Sequence, residues 1–249
     1  MSHAAVSIKD LSFRYAAQSS YCFSNLNLEV SMGERFGLFG PNGAGKTTLM
    51  NCMTGVIEYQ QGSIKLFNDE VKNNRKKINR LFGFVPQDFS FYQELSPMEN
   101  LAFFGAWSGM EKQFIKKKSI ELLEILGLSD VRNKPVQKFS GGMKRRVNLA
   151  IGVIHAPQIL FLDEPTVGVD IHSRQAIISY LKELNESGTT LIYTSHQLSE
   201  AEDLCTRIAL IDDGKIIVND TLEQLLSDHK EEGLEGLFIS LTGKSYRDS

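Results

Sequence analysis

The segment Gly40-Pro41-Asn42-Gly43-Ala44-Gly45-Lys46-Thr47-Thr48 decides the fold. It matches the pattern G-x-x-x-x-G-K-[ST] and lies between an apolar run typical of a buried strand and a stretch that predicts a helix. The glycines let the backbone curl until successive N–H groups face a phosphate, and the helix adds the positive end of its dipole. We therefore predict a phosphate-binding loop, in which Lys46 contacts the outer phosphates and Thr47 offers a hydroxyl to Mg²⁺. A glycine-rich turn with an incidental lysine is the alternative.

The chain on either side of this loop predicts an α/β protein with a mainly parallel sheet. Apolar strand-like runs alternate with helical stretches, as in such sheets. The runs are Arg35 to Phe39, Phe82 to Val85, Ile159 to Leu162, Thr189 to Thr194 and Arg207 to Ile211. Alternating apolar and polar residues in Val6 to Tyr15 and Asn25 to Val30 predict a small antiparallel sheet beside it. The turn Asp213-Gly214 predicts a hairpin at the end of the core sheet.

The periodicity changes to a helical one between about Asp88 and Pro157. We therefore predict a RecA-like P-loop NTPase core in residues 1–87 and 158–220, which includes the antiparallel sheet, with a helical subdomain inserted at 88–157. Residues 221–249 form a short tail with one helical candidate, Leu222 to Leu226.

Composition narrows the class of protein. The chain has 249 residues, 42% hydrophobic and 23% charged, as expected of a soluble globular protein with a sizeable core. Its net charge of −3 gives no support to a role in coating nucleic acid. No apolar run is long enough to span a bilayer. The three cysteines are widely spaced without a CxxC pair, which argues against a disulfide framework or a zinc site and favours the cytoplasm.

Two acidic residues follow the predicted strand at 159–162. The carboxyl end of a parallel strand delivers side chains to the crevice where ligands bind in open α/β folds. We expect Asp163 to hold Mg²⁺, usually through water, and Glu164 to act as the general base on the attacking water. A pair of charges at a helix N-terminus is the alternative.

The segment Lys138-Phe139-Ser140-Gly141-Gly142-Met143-Lys144-Arg145-Arg146 resembles the signature of the ABC ATPases. The resemblance covers nearly the whole chain and adds Gln87, Asp170 and His196 in the family's order. Phe139 stands where leucine is more frequent in the family, and Met143 stands where glutamine is common. Both departures keep the serine and the glycines.

The resemblance implies that ATP lies between two chains. Ser140, Gly141 and Gly142 would open a helix whose free N–H groups face the γ-phosphate held by another subunit. One chain carries one phosphate loop and one such helix start, so a head-to-tail homodimer is expected. Asp170 would act across this dimer, although an aspartate after a glycine turn is often a helix cap.

The remaining site residues are also assigned by resemblance. His196 resembles the switch histidine that contacts the γ-phosphate, and Gln87 the glutamine that touches the metal site and reports its state to the helical subdomain. Tyr15 resembles the aromatic residue that stacks on adenine. A satisfied polar histidine, a solvated glutamine and a packing tyrosine are the alternatives.

The expected partner is an integral membrane permease, with the chain peripheral to the inner face of the cell membrane. In the family, the aromatic stretch after Gln87 lines a groove for a short helix of that permease. We assign Phe89 to Leu95 to the groove and Phe103 to Trp107 to the subdomain core. The basic cluster Lys72 to Arg80 suggests a further contact with anionic lipid headgroups.

The tail segment at 236–243 and the segment Thr166 to Asp170 resemble the subgroup that serves ABC-2-type exporters of drugs, polysaccharides and lipids. Two alternatives stay open. One is a non-transport ABC ATPase acting on nucleic acid or ribosomes, although the long coiled-coil insertion and the fused second cassette of such proteins are missing. The other is a P-loop kinase, which has no use for Ser140-Gly141-Gly142 together with Asp170.

Overall fold

The computed structural model describes residues 4–195, 197–229 and 233–242. A four-stranded antiparallel sheet is formed largely by the N-terminal part of the chain. Its strand order is β2-β1-β4-β5. The strands are β1 Ala4–Phe13, β2 Phe23–Ser31, β4 Gln61–Leu66 and β5 Asp69–Glu70. The alternating sequences at 6–15 and 25–30 predicted the first two strands, because one face of this sheet packs on the core and the other meets solvent.

The main sheet has six strands in the order β10-β9-β3-β8-β7-β6. Five run parallel, and β10 pairs antiparallel with β9 through the hairpin at Asp213-Gly214. The strands are β3 Arg35–Phe39, β6 Phe82–Val85, β7 Ile159–Asp163, β8 Thr190–Ser195, β9 Arg207–Asp212 and β10 Lys215–Thr221. The predicted parallel sheet and its terminal hairpin are thus confirmed.

Nine α-helices lie in the described residues. They are α1 Lys46–Met53, α2 Arg75–Ile78, α3 Pro97–Trp107, α4 Lys112–Ile125, α5 Gly141–Val153, α6 Ile171–Glu186, α7 Leu198–Leu204, α8 Leu222–His229 and α9 Leu234–Thr242. Short 3₁₀ turns occupy Ser129–Val131 and Val136–Lys138. Helices α3 to α5 fall within the segment where helical periodicity prevails. Among the described residues, no helix is long and apolar enough to cross a membrane.

The core lies on both faces of the main sheet, and β7 shows why. Its five residues are all buried, but they alternate between two apolar clusters. Leu160 and Leu162 face the helices α5 and α6, whereas Ile159 and Phe161 face α1 and the antiparallel sheet. A strand covered on both faces becomes a continuous apolar run in the sequence. The acidic pair that ends this run is therefore carried by one of the most constrained strands of the molecule.

One expectation for the helical parts was wrong, and one helix was missed, although the tail helix predicted at Leu222 to Leu226 is present as α8. Phe103 and Trp107 do not form the core of the helical subdomain: the side chain of Trp107 is 82% exposed, whereas Leu101 of the same helix is fully buried. A short helix alternates its faces every three to four residues, so part of an aromatic run must point outward. The tail also contains a second helix, α9, which buries Leu237 and Phe238 against the main core.

Candidate nucleotide site

The phosphate loop connects β3 to α1 and encloses its own lysine. The ammonium of Lys46 donates to the carbonyl oxygens of Gly40 at 2.7 Å and Pro41 at 3.2 Å. Gly45 precedes the helix with φ of 106°, and a Cβ there would lie 2.6 Å from the ring of Phe23. Burial lowers the pKa of Lys46, while the negative charges of Glu164 and Asp163 oppose that shift. The lysine is thus held over the loop, where a phosphate would replace the carbonyl oxygens as its partner.

Asp163 is the last residue of β7, and its side chain faces the phosphate loop. Its side chain is 1% exposed, and its Oδ1 accepts a hydrogen bond of 2.6 Å from the hydroxyl of Thr194. The hydroxyl of Thr47 also bonds to this carboxylate. Burial raises the pKa of Asp163, and the two hydroxyl donors counteract the rise. A hydroxyl and a carboxylate thus face each other at the edge of the site.

This pair suits the ligand preferences of Mg²⁺. Magnesium prefers hard oxygen ligands and is usually held by one or two carboxylates together with water and substrate phosphates, without a full cage of protein ligands. Thr47 and Asp163 supply such oxygens. The described residues contain no cluster of three or more histidine, cysteine or acidic side chains that would indicate a different, protein-enclosed metal.

Glu164 adopts an uncommon backbone conformation. Its φ of 49° lies in the left-handed region, which costs a residue with a Cβ about 1–2 kcal/mol. The N–H of Glu164 donates to the carbonyl of Thr194 at 3.1 Å, and the side chain accepts a bond of 2.9 Å from the amide of Gln87. The conformation turns a largely buried carboxylate, 6% exposed, towards the phosphate loop. Strain of this kind is concentrated at functional sites.

Side chains of α5 hold the segment that carries Gln87. The guanidinium of Arg145 donates to the carbonyl oxygen of Gln87 and lies 4.8 Å from the ring centre of Phe89. The amide of Asn148 donates to the carbonyl of Pro86 at 3.2 Å. The position of Gln87 therefore depends on the helix that begins at the signature sequence.

Several predicted residues line one cleft of about 580 Å³. Its walls are Tyr15, Gln18, Tyr21, Cys22, Asn42, Gly43, Gly45, Lys46, Thr47, Thr48, Gln87, Glu164, Asp213 and Gly214. Tyr15 is 39% exposed, and its hydroxyl lies 2.8 Å from that of Thr48. Its role in stacking on adenine stays a prediction.

Part of this cleft was missed from the sequence. Asp213 and Gly214 were recognised as a turn, but their position beside the phosphate loop was not expected. The N–H of Gly214 donates to the carbonyl of Ala44 at 3.3 Å, and a Cβ on Gly214 would lie 1.7 Å from the carbonyl oxygen of Cys22. The turn sequence predicts the hairpin, but no local pattern indicates against which distant loop it packs.

The signature residues lie at the start of α5. Ser140 caps the helix, with its Oγ accepting from the N–H of Met143 at 3.3 Å, while Ser140 and Gly141 are exposed. Gly142 is buried against α6, where a Cβ would meet the carboxylate of Asp170 at 3.0 Å. None of the described residues that line the cleft comes from α5.

Asp170 and His196 are the two remaining predicted site residues. The carboxylate of Asp170 caps α6 by accepting from the N–H of Ser173 at 3.0 Å, as the alternative interpretation had it. This cap and the bond from the Ser173 hydroxyl lower the pKa of Asp170. A role across a dimer stays a prediction. His196 lies outside the described residues.

A phosphate loop, an acidic pair and a glutamine on one edge of a parallel sheet define a P-loop nucleotide-binding ATPase. The chain belongs to the ABC transporter family, whose model matches residues 23–167, more than half of the sequence.

Named relatives agree with this assignment. The chain is 41% identical over 202 residues to the linearmycin resistance ATP-binding protein LnrL of Bacillus subtilis, a match that spans 81% of this chain and 65% of that protein. It is 35% identical to the methionine import ATP-binding protein MetN of Clostridioides difficile, with 90% and 71% covered. It is 37% identical to the Nod factor export ATP-binding protein I of Rhizobium sp., with 83% and 68% covered.

Solved structures show the same fold. An ATP-binding subunit of an ABC transporter superposes with a TM-score of 0.87 at 25% identity, covering 96% of this chain and 99% of that one. A dimeric ATP-binding cassette in a post-hydrolysis state with ADP and Pi superposes with a TM-score of 0.80 at 27% identity, covering 87% and 98%. The P-loop kinase alternative is therefore excluded by the family.

Proposed function

We propose that this chain is the Mg-ATP-hydrolysing subunit of an exporter, that it works as a head-to-tail pair, and that a separate membrane permease carries the cargo. One observation carries the proposal. Lys46, Asp163 and Glu164 converge on one edge of the main sheet, while the exposed helix start at Ser140 is not among the residues that line the cleft of its own chain.

The chemistry of the cleft follows from its side chains. Lys46 neutralises charge on the outer phosphates, and Glu164 accepts a proton from the attacking water while Gln87 orients its carboxylate. Thr47 and Asp163 would hold magnesium, which would neutralise negative charge on the phosphates. Because several of these side chains are largely buried, their electrostatic effects are stronger than they would be in water.

A second copy supplies the part of the site that one chain lacks. The start of α5 offers free N–H groups and a positive dipole end, which together form an anion site. Ser140 and Gly141 are exposed, so this site is accessible to a phosphate that another chain holds. Two copies related by a two-fold axis then enclose two nucleotides. The dimeric cassette with ADP and Pi among the structural neighbours supports this arrangement.

The proposed permease contact is the groove lined by the segment after α1, by α3 and by α5; of the stretch Phe89 to Leu95 that was assigned to the groove, only Ser90 is among the described lining residues. The groove has a volume of about 400 Å³ and is lined in part by Val56, Phe104, Trp107 and Ile151. Trp107 stacks on Phe103 with ring centres 6.5 Å apart, and the exposed aromatic surface continues from there. An amphipathic helix of a permease would bury this exposed aromatic surface.

Export is the preferred direction, and a position at the inner face of the membrane accompanies it. The names of the LnrL and Nod factor relatives support export, whereas that of MetN indicates import. The proposed lipid contact is weaker. Arg75 is paired with Glu58 at 3.0 Å and Lys77 with Asp69 at 2.5 Å, which leaves less of their charge for headgroups.

A mixing experiment tests the paired site. Lys46→Ala removes the side chain that contacts the outer phosphates, and Ser140→Arg blocks the start of α5. Each variant alone is therefore expected to lose ATP hydrolysis. In a mixed dimer the two defects share one site, and the other site is intact. We expect the mixture to regain ATP-dependent association by light scattering, together with hydrolysis. If the hydrolysis rate of the mixture is only the sum of the rates of the two inactive variants, the paired site is contradicted.

Two further measurements test the base and the coupling. Glu164→Gln should bind ATP normally, lower the hydrolysis rate about 10²- to 10⁴-fold and accumulate an ATP-bound dimer. Glu58→Gln, at an exposed glutamate that does not line the cleft, is the matched control. Normal turnover by Glu164→Gln would remove it as the base. Purification with the permease, followed by ATPase assays in the presence of candidate cargo, tests export against the nucleic-acid or ribosome alternative.

A further inference from the structure

A closed network of buried polar side chains lies directly behind the catalytic edge. Its centre is Glu200 of α7, whose side chain is only 2% exposed. One carboxylate oxygen accepts from the hydroxyl of Tyr193 at 2.6 Å, and the other accepts from the hydroxyl of Thr166 at 2.7 Å. The two hydroxyls lie 3.0 Å apart, which closes the ring. Arg174 of α6, whose side chain is 30% exposed, borders this ring with its Nε 3.4 Å from the carboxylate.

The members of this network belong to segments that carry the reaction. Thr166 comes two residues after Glu164, on the turn that leads to α6. Tyr193 precedes Thr194, which donates to Asp163 and whose carbonyl accepts from the backbone of Glu164. Strand β8 thus holds the acidic pair directly through Thr194 and holds the following turn through Tyr193 and Glu200.

Because the ring is buried, its hydrogen bonds restrict the position of the turn at Thr166. A carboxylate out of water needs its lone pairs filled, and a charge-assisted bond from a hydroxyl is stronger than a neutral one. Burial and the neighbouring carboxylate raise the pKa of Tyr193 far above its ordinary value, so that this hydroxyl remains a donor. Displacement of the turn at Thr166 would leave a buried acceptor without its partner.

The conformation of Glu164 needs such a constraint. Its backbone is in the left-handed region, which persists only where the surroundings hold it. The turn after it has few other internal bonds: Val167 N–H reaches Glu164 O at 3.4 Å, and Val169 N–H reaches Thr166 O at 3.2 Å. The bonds to Tyr193 and Glu200 are shorter than either of these.

We propose that Glu200 is a positioning residue for ATP hydrolysis, which holds the turn at Thr166 and so keeps Glu164 aimed at the attacking water. The inference rests on the proposed role of Glu164 as base. Glu200 is not among the residues that line the nucleotide cleft. It ties the turn to β8 through Tyr193 and to the start of α6 through Arg174, so it links the catalytic edge to α7.

The test uses variants that remove one hydroxyl with little change of shape. Tyr193→Phe and Thr166→Val should each lower kcat about 10- to 100-fold, because a small misplacement of a catalytic group has effects of that size. The KM for ATP and the affinity for a non-hydrolysable analogue should stay within twofold of the parent protein. Thr166→Ser restores the hydroxyl and should restore most of the rate.

The chain contains a matched control. Tyr59 donates to the carboxylate of Glu70 at 2.8 Å, and the hydroxyl of Ser63 donates to the same carboxylate. This cluster in the antiparallel sheet has the same chemistry and lies outside the cleft. Tyr59→Phe should lower the unfolding midpoint about as much as Tyr193→Phe and leave kcat unchanged.

The outcomes separate this inference from the proposed function. If Tyr193→Phe and Thr166→Val keep kcat within twofold of the parent while losing stability like Tyr59→Phe, Glu200 is merely structural and the inference is overturned. A rate loss that Thr166→Ser does not restore would also overturn it. If the parent protein shows no ATP hydrolysis, the proposed function itself fails.

Discussion

Replacement of Thr194 by valine tests how far the buried acid depends on its strand. The substitution removes the 2.6 Å hydrogen bond to Asp163 and keeps nearly the same volume, so no large cavity opens. A hydrogen bond to a charged group contributes about 1.5–3 kcal/mol. In a domain of this size each kcal/mol shifts the unfolding temperature by about 2–4 °C, so we expect a loss of about 3–12 °C.

Thr190→Val is the matched control on the same strand. Thr190 is as deeply buried as Thr194, but its hydroxyl accepts a neutral bond of 2.9 Å from the N–H of Gly33. A neutral bond contributes about 1 kcal/mol, so the control should lose about 2–4 °C. Thermal unfolding by circular dichroism, repeated with urea, measures both. The loss in Thr194→Val should exceed the loss in Thr190→Val, and equal losses in the two variants would refute the reasoning that Asp163 draws a charge-assisted bond from Thr194.

Three other perturbations have defined outcomes. Gly45→Ala should weaken ATP binding at least tenfold by equilibrium dialysis, because its φ of 106° is strained for alanine and the added Cβ lies 2.6 Å from the ring of Phe23; unchanged affinity would contradict the loop geometry. Burial lowers the pKa of His155, so the folded state binds fewer protons than the unfolded chain. The stability from this residue is complete above its unfolded pKa of 6.5 and is lost as the pH falls through the folded pKa. His155→Leu should flatten that acid-side slope by up to about 1.4 kcal/mol per pH unit in urea titrations, and an unchanged slope would refute it. Trp107→Ala should abolish co-purification with a permease while ATP hydrolysis by the isolated chain persists, because the side chain is 82% exposed and outside the nucleotide cleft; retained co-purification would count against the groove.

The sequence predicts the parts of the molecule where a local pattern has a local cause. The loop at 40–48 needs its glycines, and a strand buried on both faces needs an unbroken apolar run, so β3 and β7 were located within one residue. The hairpin at Asp213-Gly214 was identified for the same reason.

Contacts between residues that are distant in the sequence are harder to predict from it. Glu200 and Thr166 are 34 positions apart, and nothing in either segment indicates that their side chains meet. The docking of Gly214 beside Ala44 is of the same kind. The outward face of α3 was misjudged because an aromatic run contains no information on which of its members a neighbouring helix will cover. The core can therefore be predicted from periodicity, whereas contacts between distant segments cannot.

The left-handed backbone at Glu164 has a consequence for anyone who evolves this protein in the laboratory. Glycine at that position would relieve the conformational penalty and also remove a largely buried carboxylate. Selection for heat resistance alone would therefore favour variants without the side chain needed for turnover. Libraries screened for thermal tolerance should keep codon 164 fixed, or they will enrich variants that are heat-stable but do not turn over.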